Sequence, residues 1–214
     1  MTPARTSPPT GAPRLGLRER KKIKTRTAIR DATYALIQEQ GYDATTVEQI
    51  ADRAEVSPST VFRYFPTKED IVLTDEYDPI LLAELRERPA DEPWPASLRH
   101  VARGALLAAT GEEPEVLRLR SRLMVEVPSV RARMMESMAV TSQMFAEAVA
   151  ARTGWPADSF EVRVHTRSVI GGLAELTLHW AENDFRDDPL DLLDRALDVL
   201  EHGLKPLAGR PQSP

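Results

Sequence analysis

The chain contains no cysteine. That excludes disulfide frameworks, thiolate nucleophiles and cysteine-based zinc sites, and it is the usage expected of a cytoplasmic protein. No uninterrupted apolar stretch approaches the roughly 18 residues a membrane span needs, so no membrane partner is expected. Residues 1–17 are rich in Pro and Thr and lack the apolar segment of a secretory signal. No segment alternates apolar and polar residues over a useful length, so no sheet is expected, and there is no internal repeat. Catalytic constellations are missing too. Gly171–Gly172 has neither GxGxxG nor P-loop spacing around it, and suits close helix packing better than phosphate binding. Glu175 and His179, four apart, supply half of a metal site without the HExxH pair that would complete one. No catalytic residue, metal or cofactor is therefore expected, and the chain is not expected to be an enzyme.

What remains is a chain of 214 residues, 42% hydrophobic and 29% charged, long enough for one compact domain or two small ones sharing a core. Its net charge of −5 conceals an asymmetry. Residues 1–30 carry nine basic residues and one acidic residue, Glu19. Residues 31–70 carry three basic and eight acidic residues, which leaves the first 70 at +3 and the remainder at −8. A basic head on an acidic body points to a polyanion partner at one end, or to a basic tail that is merely solvated.

Along the chain, Pro, Gly, Ser and Thr make residues 1–17 a disordered basic arm. From Arg18 the apolar spacing is helical. Ile29, Ala32, Leu36 and Ile37 share a face, and Gly41 is a natural stop. Thr46 with Gln49 reads as a capping box, Ser57 as an N-cap with Pro58 at the first helical position, and Thr67 as the start of a fourth helix. Further helices are expected near 79–88, 95–109, 115–126, 129–153, 158–182 and 190–204, between breaks such as Gly111 to Pro114 and Asn183 to Pro189. Long amphipathic helices with short connections imply an all-α fold, its body an antiparallel helical bundle.

The informative stretch runs from Thr45 to Asp70, TTVEQIADRAEVSPSTVFRYFPTKED. Val61 and Phe65, four apart, fall on one face of the third helix, which leaves Pro58, Ser59, Thr60, Arg63 and Tyr64 outward. Small hydroxyls, an arginine and a tyrosine are suitable groups for base edges and phosphates in a major groove. From about Arg18 to Leu73 the sequence resembles the DNA-binding domain of TetR-family regulators. The resemblance lies in Gly41–Tyr42, the TTVEQIA run, and Phe62, Arg63, Tyr64 and Phe65 followed by Lys68. It implies that Tyr64 and Lys68 contact phosphates, that Thr46 and Thr60 anchor the backbone, and that Pro58, Ser59 and Arg63 approach bases. Arg18 and Lys22, in the basic run up to Arg26, would touch phosphate or minor groove, or be solvated. Glu55 departs from the family, which most often has Gly there. A left-handed conformation at this turn would cost about 1–2 kcal/mol.

In the body, DEYDP at Asp75–Pro79 and RSRLMVEVPSVRAR at Arg120–Arg133 resemble a TetR subgroup associated with acyl-CoA-like ligands. Five of the six methionines fall between Met124 and Met144, suiting either core filling or an adaptable pocket. Leu123, Met124, Met138, Phe145, Val169 and Trp180 are the expected lining, with Arg120 or Arg122 at the mouth for an anionic head group. His165 shares the stripe of Val169 and Trp180 and reads as a core residue or a ligand contact. The terminal stripe Leu190, Leu193, Leu197, Leu200 and Leu204 has no evident partner within its own short helix. In the resembled family the last two helices pair with their copies.

The expected layout is therefore a disordered basic arm over 1–17, a three-helix helix-turn-helix DNA-binding domain over 18–66, a ligand-binding and dimerisation domain over 67–205, and a disordered tail over 206–214. The function this implies is that of a homodimeric repressor on a near-palindromic double-stranded DNA operator, released by a small apolar or acyl-CoA-like effector. The alternative is a DNA-binding regulator controlled by a protein partner, with no small-molecule effector.

Overall fold

A computed structural model of the chain describes residues 16–74 and 78–204; the arm over 1–15, with Arg5 and Arg14, and the tail from 205 on lie outside the described residues. Within these limits the regular structure is helical: α1 (Leu17–Gln40), α2 (Val47–Arg53), α3 (Pro58–Tyr64), α4 (Lys68–Leu73), α5 (Asp78–Glu87), α6 (Trp94–Glu112), α7 (Pro114–Glu126), α8 (Pro128–Thr153), α9 (Phe160–Glu182) and α10 (Pro189–His202). The chain divides between Pro66 and Thr67 into two units.

In the first unit, local chemistry sets each boundary. α1 begins at Leu17, one residue inside the expected arm, and ends at Gly41, whose φ of 85° a side chain would resist. Thr46 Oγ1 accepts from Gln49 N–H, and Gln49 Oε1 accepts in turn from Thr46 N–H at 2.9 Å, the expected capping box. Ser57 Oγ accepts from Thr60 N–H, with Pro58 at the first helical position. The core comprises Ile29, Ala32, Leu36, Ile50, Ala51, Val61 and Phe65, all buried. Glu39 on α1 and Arg53 on α2 add a bidentate ion pair at 2.5 and 2.7 Å, which holds the Glu39 carboxyl below its usual range.

The second unit packs around α9, which lies against α7, α8 and α10. Leu98, Val169, Leu193 and Leu197 form one buried cluster, and Leu85, Val101 and Ala148 another. Arg99 reaches from α6 to Asp194 and Asp198 of α10 at 2.9 and 2.6 Å, and Arg103 joins it on Asp194. Arg152 donates to the carbonyls of Arg88, Pro89 and Glu92, gathering the α5–α6 connection.

Three expectations change. α6 continues through Gly111 to Glu112, so the break before α7 shrinks to Glu113 and two amphipathic helices almost abut. α9 begins at Phe160, because Ser159 serves as its N-cap. The terminal stripe does have partners within the chain: Leu193 and Leu197 are buried, whereas Leu200 and Leu204 are exposed. The small residue at Gly172 serves the same packing, since a Cβ there would lie 3.1 Å from Leu200 Cδ1.

Candidate functional site

Two sites emerge, one in each unit. In the first, α3 buries Val61 and Phe65 and presents the rest of its surface. Pro58, Ser59, Phe62 and Arg63 are exposed, and Thr60 and Tyr64 half-buried. The turn that aims α3 runs through Glu55, whose φ is 54°, so the left-handed conformation is adopted without glycine. Val56 N–H closes it on Ala51 O at 2.9 Å. The hydroxyls of Ser59 and Thr60 each lie 2.9 Å from Ser57 Oγ, so the first turn of α3 is ordered before any partner arrives. Thr46, at the cap of α2, is exposed. Lys68 is the first residue of α4, after the Thr67 cap, and belongs to the second unit.

Beside α3 lies a basic cleft lined by Arg18, Lys21, Lys22, Thr25, Arg26, Arg63 and Tyr64. Five of these residues are cationic and none is acidic. Two guanidiniums are oriented by rings: Arg26 lies 4.8 Å from the centroid of buried Phe65, and Arg63 lies 5.2 Å from that of Tyr64. A concave surface of one sign, with a phenol and a hydroxyl among the cations, can hold phosphate oxygens. Sequence reasoning singles out Arg18, Lys22, Arg63 and Tyr64, and the structure brings these four together. Lys21, Thr25 and Arg26 fall within the basic run from Arg18 to Arg26 expected at phosphate or minor groove, though the sequence does not pick them out one by one. They recur three and four apart with Arg18 and Lys22, and that spacing is the available signal. Phe62, 50% exposed on α3, enters the sequence reading only through the family pattern.

The second unit contains a cavity of about 360 Å³ bounded by α4, α7, α8 and α9. Its lining includes Arg120, Met124, Met134, Met138 and Leu173, with the polar groups Asp70, Thr74, Ser137, Thr141 and Thr177. The Asp70 carboxylate is engaged on both oxygens: one accepts from Arg133 Nε at 2.7 Å, the other from Thr67 N–H and Oγ1–H. The cation facing this cavity is Arg120, which donates to Leu73 O at 3.3 Å, at the end of α4. A second cavity of about 210 Å³ shares Arg120, Met124, Leu173 and Thr177 with the first and is otherwise almost wholly apolar. Ala102, Ala105 and Ala109 of α6, on one face, leave its space open.

The expected lining divides. Arg120, Met124 and Met138 meet at the cavity, joined by Met134. Met135 and Met144 lie on the outer side of α8 and are exposed, so the methionine cluster is part pocket and part surface. Leu123 is buried, and Val169 belongs to the cluster with Leu98 and Leu193. Phe145 packs into the core with its ring edge-on to Trp94 at 6.0 Å. His165 Nε2 accepts from Trp94 Nε1–H at 2.7 Å, and burial pushes the imidazole's pKa down. His165 is thereby a half-buried group whose Nε2 is satisfied. Arg122 is exposed, with its guanidinium 5.4 Å from the Phe185 centroid. Trp180 lies at a third cavity, away from Arg120.

Among the described residues, no helix is long and apolar enough to cross a membrane, and no cluster of three or more acidic or histidine residues could hold a metal ion. Residues 29–74 match the family described as bacterial regulatory proteins, tetR family, and residues 92–205 match the MftR C-terminal domain. The regulator TcmR of Streptomyces glaucescens is 45% identical over 93 residues, a match spanning 42% of this chain and 40% of TcmR. The transcriptional regulator MftR of Mycobacterium tuberculosis is 29% identical over 191 residues, spanning 86% of this chain and 93% of MftR. Among solved structures, the TetR-family repressor FadR of Thermus thermophilus in complex with lauroyl-CoA is 28% identical. It aligns with a TM-score of 0.54 over 88% of this chain and 100% of its own. The helix-turn-helix head, the helical body and both family matches place the chain in the TetR family of bacterial transcriptional regulators, DNA-binding proteins and not enzymes.

Proposed function

We propose that the protein acts as a cytoplasmic homodimer on a near-palindromic double-stranded DNA operator. The first unit reads DNA and the second, from Thr67 on, binds the effector and dimerises. Pro58, Ser59 and Arg63 approach base edges. Tyr64, Arg18, Lys22 and Lys68 hold phosphates, with Thr46 and Thr60 on the backbone. An acyl-CoA-like effector enters the cavity at Arg120 and releases the operator.

The observation that carries the effector reading is the juxtaposition at Arg120. A chamber of mixed lining and an almost wholly apolar one meet there, with one guanidinium between them. That arrangement suits a molecule with an anionic head and an acyl chain. The lauroyl-CoA held by the related Thermus FadR supports the same class. Coupling follows from what Arg120 already does. Its donation to Leu73 O competes with donation to a ligand, so occupancy alters the end of α4. A ligand shifts the equilibrium only through such a difference between states.

For dimerisation, the outer face of α9 and α10 forms a groove of about 320 Å³ that includes Gly172, Leu176, Ala196, Val199 and Leu200. Isologous pairing of such a face gives two-fold symmetry, which sets two reading helices roughly 34–36 Å apart on the duplex. The test is fluorescence anisotropy on DNA fragments flanking the protein's own gene, with acyl-CoAs titrated into the complex. Tight binding to one near-palindrome and its loss with acyl-CoA are expected. Operator affinity that no acyl-CoA alters would leave control by a protein partner as the reading. Sedimentation as a monomer at micromolar concentration would remove the dimer.

A further inference from the structure

Three cavities follow one another along the seam between α7 and α9. The first two meet at Arg120 and Met124. The second and third share a single residue, Leu117. The third, of about 330 Å³, has Pro114, Trp180, Phe185 and Leu190 on its apolar side and Thr110, Arg118, Asp187 and Asp188 on its polar side. The helices run in opposite directions here. Met124 faces the same space as Leu173, and Leu117 the same space as Trp180. At 1.5 Å per residue, Leu117 lies about 10 Å along α7 from Met124.

The far wall is built at a cost. Asp184 and Phe185 have φ of 55° and 58°, left-handed values that a bulky side chain resists. The backbone is held by Phe185 N–H donating to Trp180 O at 2.9 Å, and the indole by Trp180 Nε1–H donating to Asp187 O at 3.0 Å. The result is an aromatic pair, edge to face with centroids 4.8 Å apart, facing the cavity beyond Leu117.

We propose that Leu117 is a gate that reads acyl-chain length. A short chain anchored at Arg120 ends in the alanine-lined chamber. A longer one turns the Leu117 side chain aside and lays its end against Trp180 and Phe185. The proposal rests on the reading of the Arg120 cavity as an acyl-CoA site. It adds Leu117 as the specificity-determining residue and the third cavity as the subsite for the chain end.

The experiment uses the full chain carrying Trp94→Phe and Trp155→Phe, which leaves Trp180 as the sole tryptophan. Octanoyl-, lauroyl- and stearoyl-CoA are titrated, with affinity read by calorimetry and Trp180 emission in parallel. All three are expected to bind, but Trp180 emission to shift only with the longer chains. Leu117→Phe, plugging the gate, is expected to weaken stearoyl-CoA about tenfold and leave octanoyl-CoA within about twofold. Trp180 emission that responds equally to every chain length, measured without altering Leu117, would overturn the gate while leaving the acyl-CoA site standing. So would a Leu117→Phe variant that melts like its parent and weakens all three ligands alike. Absence of binding by every chain length overturns the acyl-CoA reading, and the gate with it.

Discussion

The two units of this chain assemble their sites in opposite ways. In the first, most of the binding surface comes from one seven-residue helix and between two and three turns of another, so the site draws on two short segments of the sequence. In the second, Asp70, Arg120, Met138 and Leu173 meet from four helices spread over about half the chain. A local site needs rigid support, because its few residues must be aimed. A distributed site needs space, because its residues must stand apart.

The difference in packing is the largest effect to test. Phe65 is fully buried beneath α3 and also carries the Arg26 guanidinium on its ring. Phe65→Ala is expected to destabilise the first unit by about 3–5 kcal/mol. Met138 is half-buried and already borders empty volume, so Met138→Ala should cost the second unit about 2 kcal/mol or less. Thermal unfolding followed by circular dichroism checks both. Equal losses would show that the cavity is as tightly packed as the head and is no ligand space.

Next comes the separation of functions. Arg63→Ala is expected to lose about 1–3 kcal/mol on the true operator, while acyl-CoA affinity stays unchanged. Alanine at both Lys21 and Lys22 should weaken binding to all DNA and reduce the salt slope by about 0.9 for each phosphate that is no longer neutralised. Arg120→Met should do the reverse of Arg63→Ala, keeping operator affinity and removing a coupling of about 1–3 kcal/mol between acyl-CoA and DNA. Anisotropy titrations at several salt concentrations measure all three. An Arg120→Met protein that still releases DNA on acyl-CoA addition would place the head group elsewhere.

What could be read in advance follows the same division. The caps at Thr46, Ser57 and Thr67 and the Val61–Phe65 face depend on spacings of three or four residues, which sequence displays directly. The cavity does not. Met124 and Met138 stand on stripes just as apolar as those of Leu123 and Phe145, and only the packing of α7, α8 and α9 decides which faces space and which faces core. His165 stays open between two roles in the sequence because its donor, Trp94, lies 71 residues away. The terminal stripe misleads for a related reason. The partners of Leu193 and Leu197 are Val169 on the preceding helix and Leu98 on α6, far away in sequence.

A smaller effect sits at the turn before α3. Glu55 adopts φ 54° where the family most often has glycine. Glu55→Gly removes about 1–2 kcal/mol of steric cost but loosens the unfolded chain by roughly 0.5–1 kcal/mol, so a net gain of up to about 1.5 kcal/mol is expected. Operator affinity should stay the same, because the turn is already in the conformation that glycine allows. A lower melting temperature in the variant would mean that the Glu55 side chain contributes something the strain argument omits.

The smallest effect belongs to His165, half-buried in the second unit. Its Nε2 accepts from the Trp94 indole, so the folded state holds the neutral ring, and burial lowers its pKa from the ordinary 6.5. The unfolded chain takes up a proton near pH 6.5, whereas the folded chain resists until lower pH. Stability contributed by this group is therefore fully present above pH 6.5. It declines as pH falls below that value and stops declining once the folded ring also titrates. The melting temperature of the second unit should fall between about pH 7.5 and 5.5, by about 2–4 °C for each kcal/mol lost. His165→Gln keeps an acceptor for Trp94 Nε1 but cannot titrate, so it should flatten this dependence. His100, His179 and His202 remain in both proteins, and the difference between the two profiles isolates His165. Parallel profiles for wild type and variant would show that His165 takes up its proton as readily in the folded chain as in the unfolded one, so that its contact with Trp94 carries no pH dependence. A flattened profile would mean that one half-buried hydrogen bond between α6 and α9 carries a pH dependence of the second unit.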